Sequence, residues 1–377
     1  MAYDAFEIQL RELKGKDRLR SLRERRGIDF TSNDYLGLAE SEELRQAATE
    51  AIARGVPVGA GGSRLLRGNH AEHEALEAEA AAQFGAETAL YFGAGYTANH
   101  AIFSTLPQQG DMVFHDELVH ASVHEGLRHG RAERQSVPHN DADAFDMRLR
   151  KWRKAGGRGR AWIAVESLYS MDGDSPDLTE MLAVATRHDA TLVIDEAHAT
   201  GVLGPDGRGL TAPFEGRDNV ITLHTCGKAL GTSGGFVLAP KIVRDFLVNR
   251  ARPFIFATAP SPLIAAVTRA ALRISRERPR RRERLARLVA YAGRELKARC
   301  GLTSSHSHIL PIIVGADRKA VALAKALQQR GFDVRAIRPP TVPEGTARLR
   351  VALTASLSEA TIAGLFDAMA DELRQLA

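Results

Sequence analysis

The chain has 377 residues, 44% of them hydrophobic and 26% charged, the balance of a globular protein able to bury a large core in more than one domain. A formal charge of +5 favours an acidic partner, while the absence of any apolar run approaching about 20 residues, and an amphipathic start, argue against a membrane span or a secretory signal. The two cysteines, Cys226 and Cys300, form no CxxC pair; they exclude a clustered-thiol zinc site or redox couple and fit a reducing cytoplasm.

In chain order, residues 1–40 read as an N-terminal arm, a helix followed by IDFTSNDYLGLA. Arg18, Arg20, Arg23, Arg25 and Arg26 cluster in it, and a second basic stretch, RERPRRRERLAR, begins at Arg276. Neither is interleaved with aromatic residues, so solvated helix faces are expected and nucleic acid is not. Residues 41–265 read as a large domain. Its strand candidates are ETALYF before Gly93, DMVFHD from Asp111, AWIAVES from Ala161, TLVIDEA from Thr191, NVITLHT from Asn219 and GGFVLAP from Gly234. These runs are apolar throughout, as strands covered on both faces are. Between them, SPDLTEMLAVATRHD predicts a helix capped by Ser175, with Pro176 in the first turn and Leu178, Met181, Leu182 and Ala185 on one face. Alternating strands and helices predict an α/β fold with a mainly parallel sheet, whose ligands bind beyond the carboxyl ends of the strands. Residues 266–377 read as a smaller α+β domain: a long basic helical region, HILPIIVG, a helix from Arg318, DVRAIRP, ARLRVALT and a last helix.

Three motifs compete. DEAH, from Asp195, suggests a nucleic-acid-dependent ATPase, but no GxxxxGK[ST] loop accompanies it. GAGYTA, from Gly93, matches a dinucleotide fingerprint with Asp116 beyond it; yet unpaired N–H groups at a helix start hold a single phosphate as well as a pyrophosphate. His115, His120, His124 and His129 are spaced for a helical face, but HEGLRH is not HExxH and no carboxylate or cysteine joins them at metal spacing.

A constellation decides among these. Asp195 ends a buried apolar strand, where a carboxylate needs a cation. A protonated pyridine nitrogen about 4 Å away would supply about 4 kcal/mol of attraction at an effective dielectric near 20. Lys228 lies in a glycine-flanked turn after another strand, with few charges nearby, a setting that depresses a lysine's pKa and makes it a nucleophile. Pyridoxal 5'-phosphate (PLP), held as a Schiff base on Lys228 and paired with Asp195, satisfies both.

The ordered blocks SNDYLGLA from Ser32, GAGGSRLLRGNH from Gly59, FGAGYTAN from Phe92, VHAS from Val119, ESLYSMDGDSPDL from Glu166, DEAHATG, HTCGKALG from His224 and RLRVALT from Arg348 resemble the α-oxoamine synthases, PLP enzymes of the aspartate-aminotransferase fold, fold type I. The resemblance covers nearly the whole chain. It implies that His198 bonds the ring hydroxyl oxygen, His120 stacks on the ring, Ser170 donates near the ring oxygen, and Gly95, Tyr96 and Thr225 hold the phosphate. Ser63 would reach the phosphate of a second subunit's cofactor, so a homodimer with shared active sites is implied. For substrate, it implies Arg350 as the carboxylate fork, with Arg348 an alternative, Asn33 near the reacting centre, and Arg20 as a further substrate contact. By spacing alone Arg350 could equally point outward from a half-buried strand.

The implied reaction is a decarboxylating Claisen-type condensation of an amino acid with an acyl thioester carried by coenzyme A or acyl carrier protein. Within the family the blocks most resemble the branch that joins L-alanine to a pimeloyl thioester for biotin; other branches use glycine or serine. Cys226, beside the Schiff-base turn, departs from the small residue common there; its thiol is expected to be structural, with oxidation sensitivity the alternative.

Overall fold

The computed structural model describes residues 3–22 and 24–376, so Arg23 of the arginine cluster lies outside the described residues. The chain divides into two compact units. The larger comprises Leu36–Tyr169 and Ser175–Arg282, the smaller Met1–Tyr35, Ser170–Asp174 and Glu283–Ala377.

The larger unit is built on seven strands: β1 (Thr88–Phe92), β2 (Met112–Asp116), β3 (Glu133–Val137), β4 (Ala161–Glu166), β5 (Ala190–Asp195), β6 (Val220–Thr225) and β7 (Gly235–Ala239). Their order is β1-β7-β6-β5-β4-β2-β3. Only β7 runs antiparallel to its neighbours, so the other six strands end at one common edge. Strands β4 to β7 are buried at every residue. Alternate side chains enter two cores: Val113, Trp162, Ala164 and Val193 one, Phe114, Ile163, Leu192 and Ile194 the other. Helices pack on both faces because both are apolar, as the uninterrupted runs predict. The exception is β3, ERQSV, a polar edge strand with only Val137 buried.

The helix expected after Ser175 spans Leu178–Arg187, and its cap is Asp177, which accepts from the backbone N–H of Thr179 at 2.9 Å and Glu180 at 3.0 Å. A carboxylate outcompetes a serine hydroxyl here because it takes two N–H groups at the positive end of the helix. Leu178, Met181, Leu182 and Ala185 are buried together as predicted.

The smaller unit carries β8 (Ile309–Gly315), β9 (Arg335–Ile337) and β10 (Ala347–Ala352) in an antiparallel sheet ordered β9-β10-β8. The arm is stitched to it: Ile28–Asp29 pairs with Phe332–Asp333, and Ala352 donates its N–H to Phe30 O at 2.8 Å. The sequence reading ended the arm at 40 and the large domain at 265; the compact units divide after Tyr35 and Arg282. The basic helical region is two helices, Pro262–Glu277 and Arg280–Cys300, separated near Pro279. The first belongs to the larger unit, where Arg269 pairs with Glu72 at 2.6 Å and Glu79 at 2.5 Å. Much of the second basic stretch is spent internally. Arg281 donates to the carbonyls of Leu36 and Gly37 and pairs with Glu43. Among the described residues no helix is long and apolar enough to cross a membrane.

Candidate active site

The parallel strands deliver the predicted side chains to their common carboxyl edge. Gly95 and Tyr96 follow β1, His120 follows β2, Asp195 closes β5 with His198 after it, and Thr225 closes β6 with Lys228 after it. The helix Gly95–Thr105 has no side-chain cap on its first-turn N–H groups. Its first residue lies against Thr225: a Cβ at Gly95 would sit 3.2 Å from Thr225 Oγ1. Uncapped N–H groups beside a hydroxyl, with no side chain in between, are what a phosphate requires.

Lys228 Nζ donates to His198 Nε2 at 2.8 Å. The turn that presents it closes through Gly231, where φ is +65° and a Cβ would lie 2.4 Å from the backbone nitrogen of Ala39, so only glycine fits. Asp195, buried, accepts from Ala197 N at 2.9 Å and from Asn99 Nδ2 at 2.6 Å, and among the described residues no cationic side chain is ion-paired with it. Its two donors are both neutral and bring no opposite charge to it, which fits a protonated ring nitrogen as its partner.

His120 Nδ1 lies 2.7 Å from Ser122 Oγ and accepts the Ser122 N–H at 3.2 Å. Desolvation by surrounding protein holds its pKa below the usual histidine range; Asp195 pulls it up and Lys228 pushes it further down. Asn99 and Ser122, both buried, escaped the sequence reading. The available signal was polarity in a helix of otherwise apolar face, since Asn99 stands among buried Ala98, Ala101, Ile102 and Phe103.

The smaller unit holds the expected substrate groups. Arg350 is buried; its Nε donates to Ser170 O at 2.6 Å and its Nη2 to the Tyr35 hydroxyl at 3.2 Å. Tyr35 in turn donates to Asn33 Oδ1 at 3.0 Å. Arg348, also buried, is committed to the Asp172 carboxylate and the Met171 carbonyl. Of the two arginines, only Arg350 has no carboxylate partner among the described residues, which favours it for the carboxylate fork. Arg20 donates to Thr341 Oγ1 at 3.3 Å and, with Arg26, Lys325, Arg335 and Arg338, lines a cavity of about 1090 Å³. Ser63, in the larger unit, lies in a loop anchored by Ala259 N–H to Gly62 O at 2.9 Å.

The competing motifs have other employment. Glu196 of DEAH is fully buried and accepts the backbone N–H of Leu210 and Thr211, with burial pushing its pKa up. His115 bonds the Asp116 carbonyl, His124 packs edge-on against it, and His129 lies 3.1 Å from His100. The Cys226 thiol is fully buried, which pushes its pKa well up and makes it a poor nucleophile, in line with a structural role.

Comparison with known proteins shows the family and the fold. Residues 25–369 match the family model for aminotransferase class I and II. The chain is 42% identical over 344 residues to 8-amino-7-oxononanoate synthase of Chromobacterium violaceum, covering 91% of this chain and 88% of that one. It is 41% identical over 347 residues to a putative 8-amino-7-oxononanoate synthase of Geobacillus kaustophilus, with 91% and 88% covered. Among solved structures, serine palmitoyltransferase from S. paucimobilis with a bound PLP–myriocin aldimine superposes with a TM-score of 0.89 at 28% identity, over 100% of this chain and 98% of that one. The 8-amino-7-oxononanoate synthase of Francisella tularensis superposes with 0.78 at 26% identity, over 93% and 98%.

Proposed function

This chain belongs to the class I and II aminotransferase family, as a PLP-dependent α-oxoamine synthase that condenses an amino acid with an acyl thioester, and from that premise we propose that its amino acid is L-alanine and its acyl donor a pimeloyl thioester. The product would be 8-amino-7-oxononanoate, a biotin precursor. The observation that carries the choice is the 40–43% identity to curated proteins named for that product. The higher TM-score of serine palmitoyltransferase keeps serine, or glycine, as the second reading.

Bound at the carboxyl edge, PLP supplies an electron sink that stabilises negative charge on the amino acid's α-carbon. Lys228 would hold it covalently through Nζ, Asp195 would face its ring nitrogen, and Gly95, Tyr96 and Thr225 would take its phosphate. Once freed by the incoming amino acid, Lys228 Nζ would remove the α-proton, and its bond to His198 keeps the amine in place. Arg350 would fork the amino acid's carboxylate. The lining around Arg20 carries five basic side chains against two carboxylates, Glu24 and Asp333, an excess that suits an acidic group on the acyl donor, whether coenzyme A or acyl carrier protein delivers it.

The test is a set of spectra and product assays with pimeloyl thioester and L-alanine, glycine or L-serine. We expect L-alanine to perturb the visible cofactor band and support product formation; turnover with glycine or serine but not alanine rejects the proposed pair and leaves the reaction class standing.

A further inference from the structure

We propose that Asn99 and Ser122 are positioning residues which join His120 to Asp195 through a hydrogen-bond relay that diverges from the Asn99 amide, each bond with a fixed direction, keeping the His120 imidazole neutral with its proton on Nε2. The proposal rests on reading His120 and Asp195 as the ring-face and ring-nitrogen contacts of the cofactor.

Each direction in the relay is forced by chemistry. The Ser122 backbone N–H can only donate, so His120 Nδ1, 3.2 Å away, is an acceptor. The Ser122 hydroxyl, 2.7 Å from the same Nδ1, must then donate to it as well. Having spent its proton, Ser122 Oγ can only accept, and it accepts from Asn99 Nδ2 at 3.1 Å. The other proton of that amide goes to Asp195 Oδ2 at 2.6 Å. Flipping the amide would set its carbonyl oxygen against a carboxylate, so the orientation of Asn99 is fixed too. Ser122 is fully buried and Asn99 nearly so, which strengthens both bonds electrostatically.

The consequence lies at His120. An imidazolium needs a proton on Nδ1, where two donors already point, so charging the ring requires breaking the relay. The charged and titratable groups facing His120 are Asp195, Lys228, His124 and Tyr96, whose ring lies edge-on 6.2 Å away. A neutral ring adds no second positive charge beside Lys228. Asp195 fixes the orientation of the Asn99 amide, and donation from Asn99 to Ser122 Oγ makes the Ser122 hydroxyl a stronger donor, so the lock on Nδ1 is tightest when both residues are present.

The test uses holoenzyme of the native chain, Ser122→Ala, Ser122→Thr, Asn99→Ala and the Ser122→Ala/Asn99→Ala double variant. The readouts are the pH midpoint of the visible cofactor band without substrate, and kcat and KM for the amino acid. Losing one hydrogen bond of about 1.4 kcal/mol corresponds to about one pH unit or tenfold in rate. We expect Ser122→Ala to move the midpoint down by about one unit and to lower kcat about tenfold with KM nearly unchanged; Ser122→Thr should restore both. In the Asn99→Ala background the Ser122→Ala effect should shrink. An unmoved midpoint in Ser122→Ala, or an equal effect in both backgrounds, overturns the relay. Should the threonine variant not fold, the comparison of the two backgrounds decides alone. A native protein with no visible band would instead sink the cofactor reading on which the relay depends.

Discussion

Arg348 and Arg350 stand two apart on β10, so strand periodicity places both on one face, and no argument from spacing separates them. Partners do: Asp172 neutralises the first, while the second is held by a carbonyl and a phenol that leave its charge available. Replacing Arg350 with lysine keeps the charge but loses the fork, and we expect KM for the amino acid to rise by about one to two orders of magnitude, the worth of a charge-assisted bond. Arg348→Lys should affect stability more than KM, since it weakens a buried pair. Steady-state kinetics and thermal unfolding on both variants check this, and a larger KM effect at 348 would reverse the assignment. The placement of Lys228 and Asp195 at the carboxyl edge of the sheet was legible in the sequence because Asp195 ends one buried apolar run and Lys228 closely follows another. Asn99 and Ser122 were not, because their partners come from other elements and only the fold brings them together.

At the scale of elements, every apolar run read as a strand in the large domain is one. Burial on both faces leaves an uninterrupted signal that needs no alignment to see. ERQSV gave no such signal, since a polar edge strand forms through its neighbour, pairing with β2 along its whole length. Helix caps are equally local but easily misplaced: Ser-Pro-Asp offers two candidates, and the chain uses Asp177. The cap predicts that Asp177→Ala lowers stability by about 1 kcal/mol, seen as a drop of about 2 °C in Tm, whereas Ser175→Ala leaves it unchanged. Equal losses in the two variants would mean that the carboxylate does not act as the cap.

On the whole molecule, the sequence reading expects two subunits sharing each active site, with Ser63 serving the partner's cofactor. The loop that carries Ser63 exposes Val58, Leu65 and Leu66, and the adjoining segment exposes Phe256, four large apolar side chains that a lone chain would hold in water. We infer that a second copy covers them. Sharing has an arithmetic signature that mere association lacks. Take two variants expected to be inactive as homodimers, Lys228→Ala and Ser63→Tyr, unfold and refold them together in equal amounts, and about half of the dimers are mixed. In a mixed dimer one site draws Lys228 and Ser63 from the two undamaged sources and the other draws both lesions, so total activity should return to about a quarter of the native value. If Ser63 served its own chain's cofactor, every site in every dimer would carry one lesion, and mixing would restore nothing.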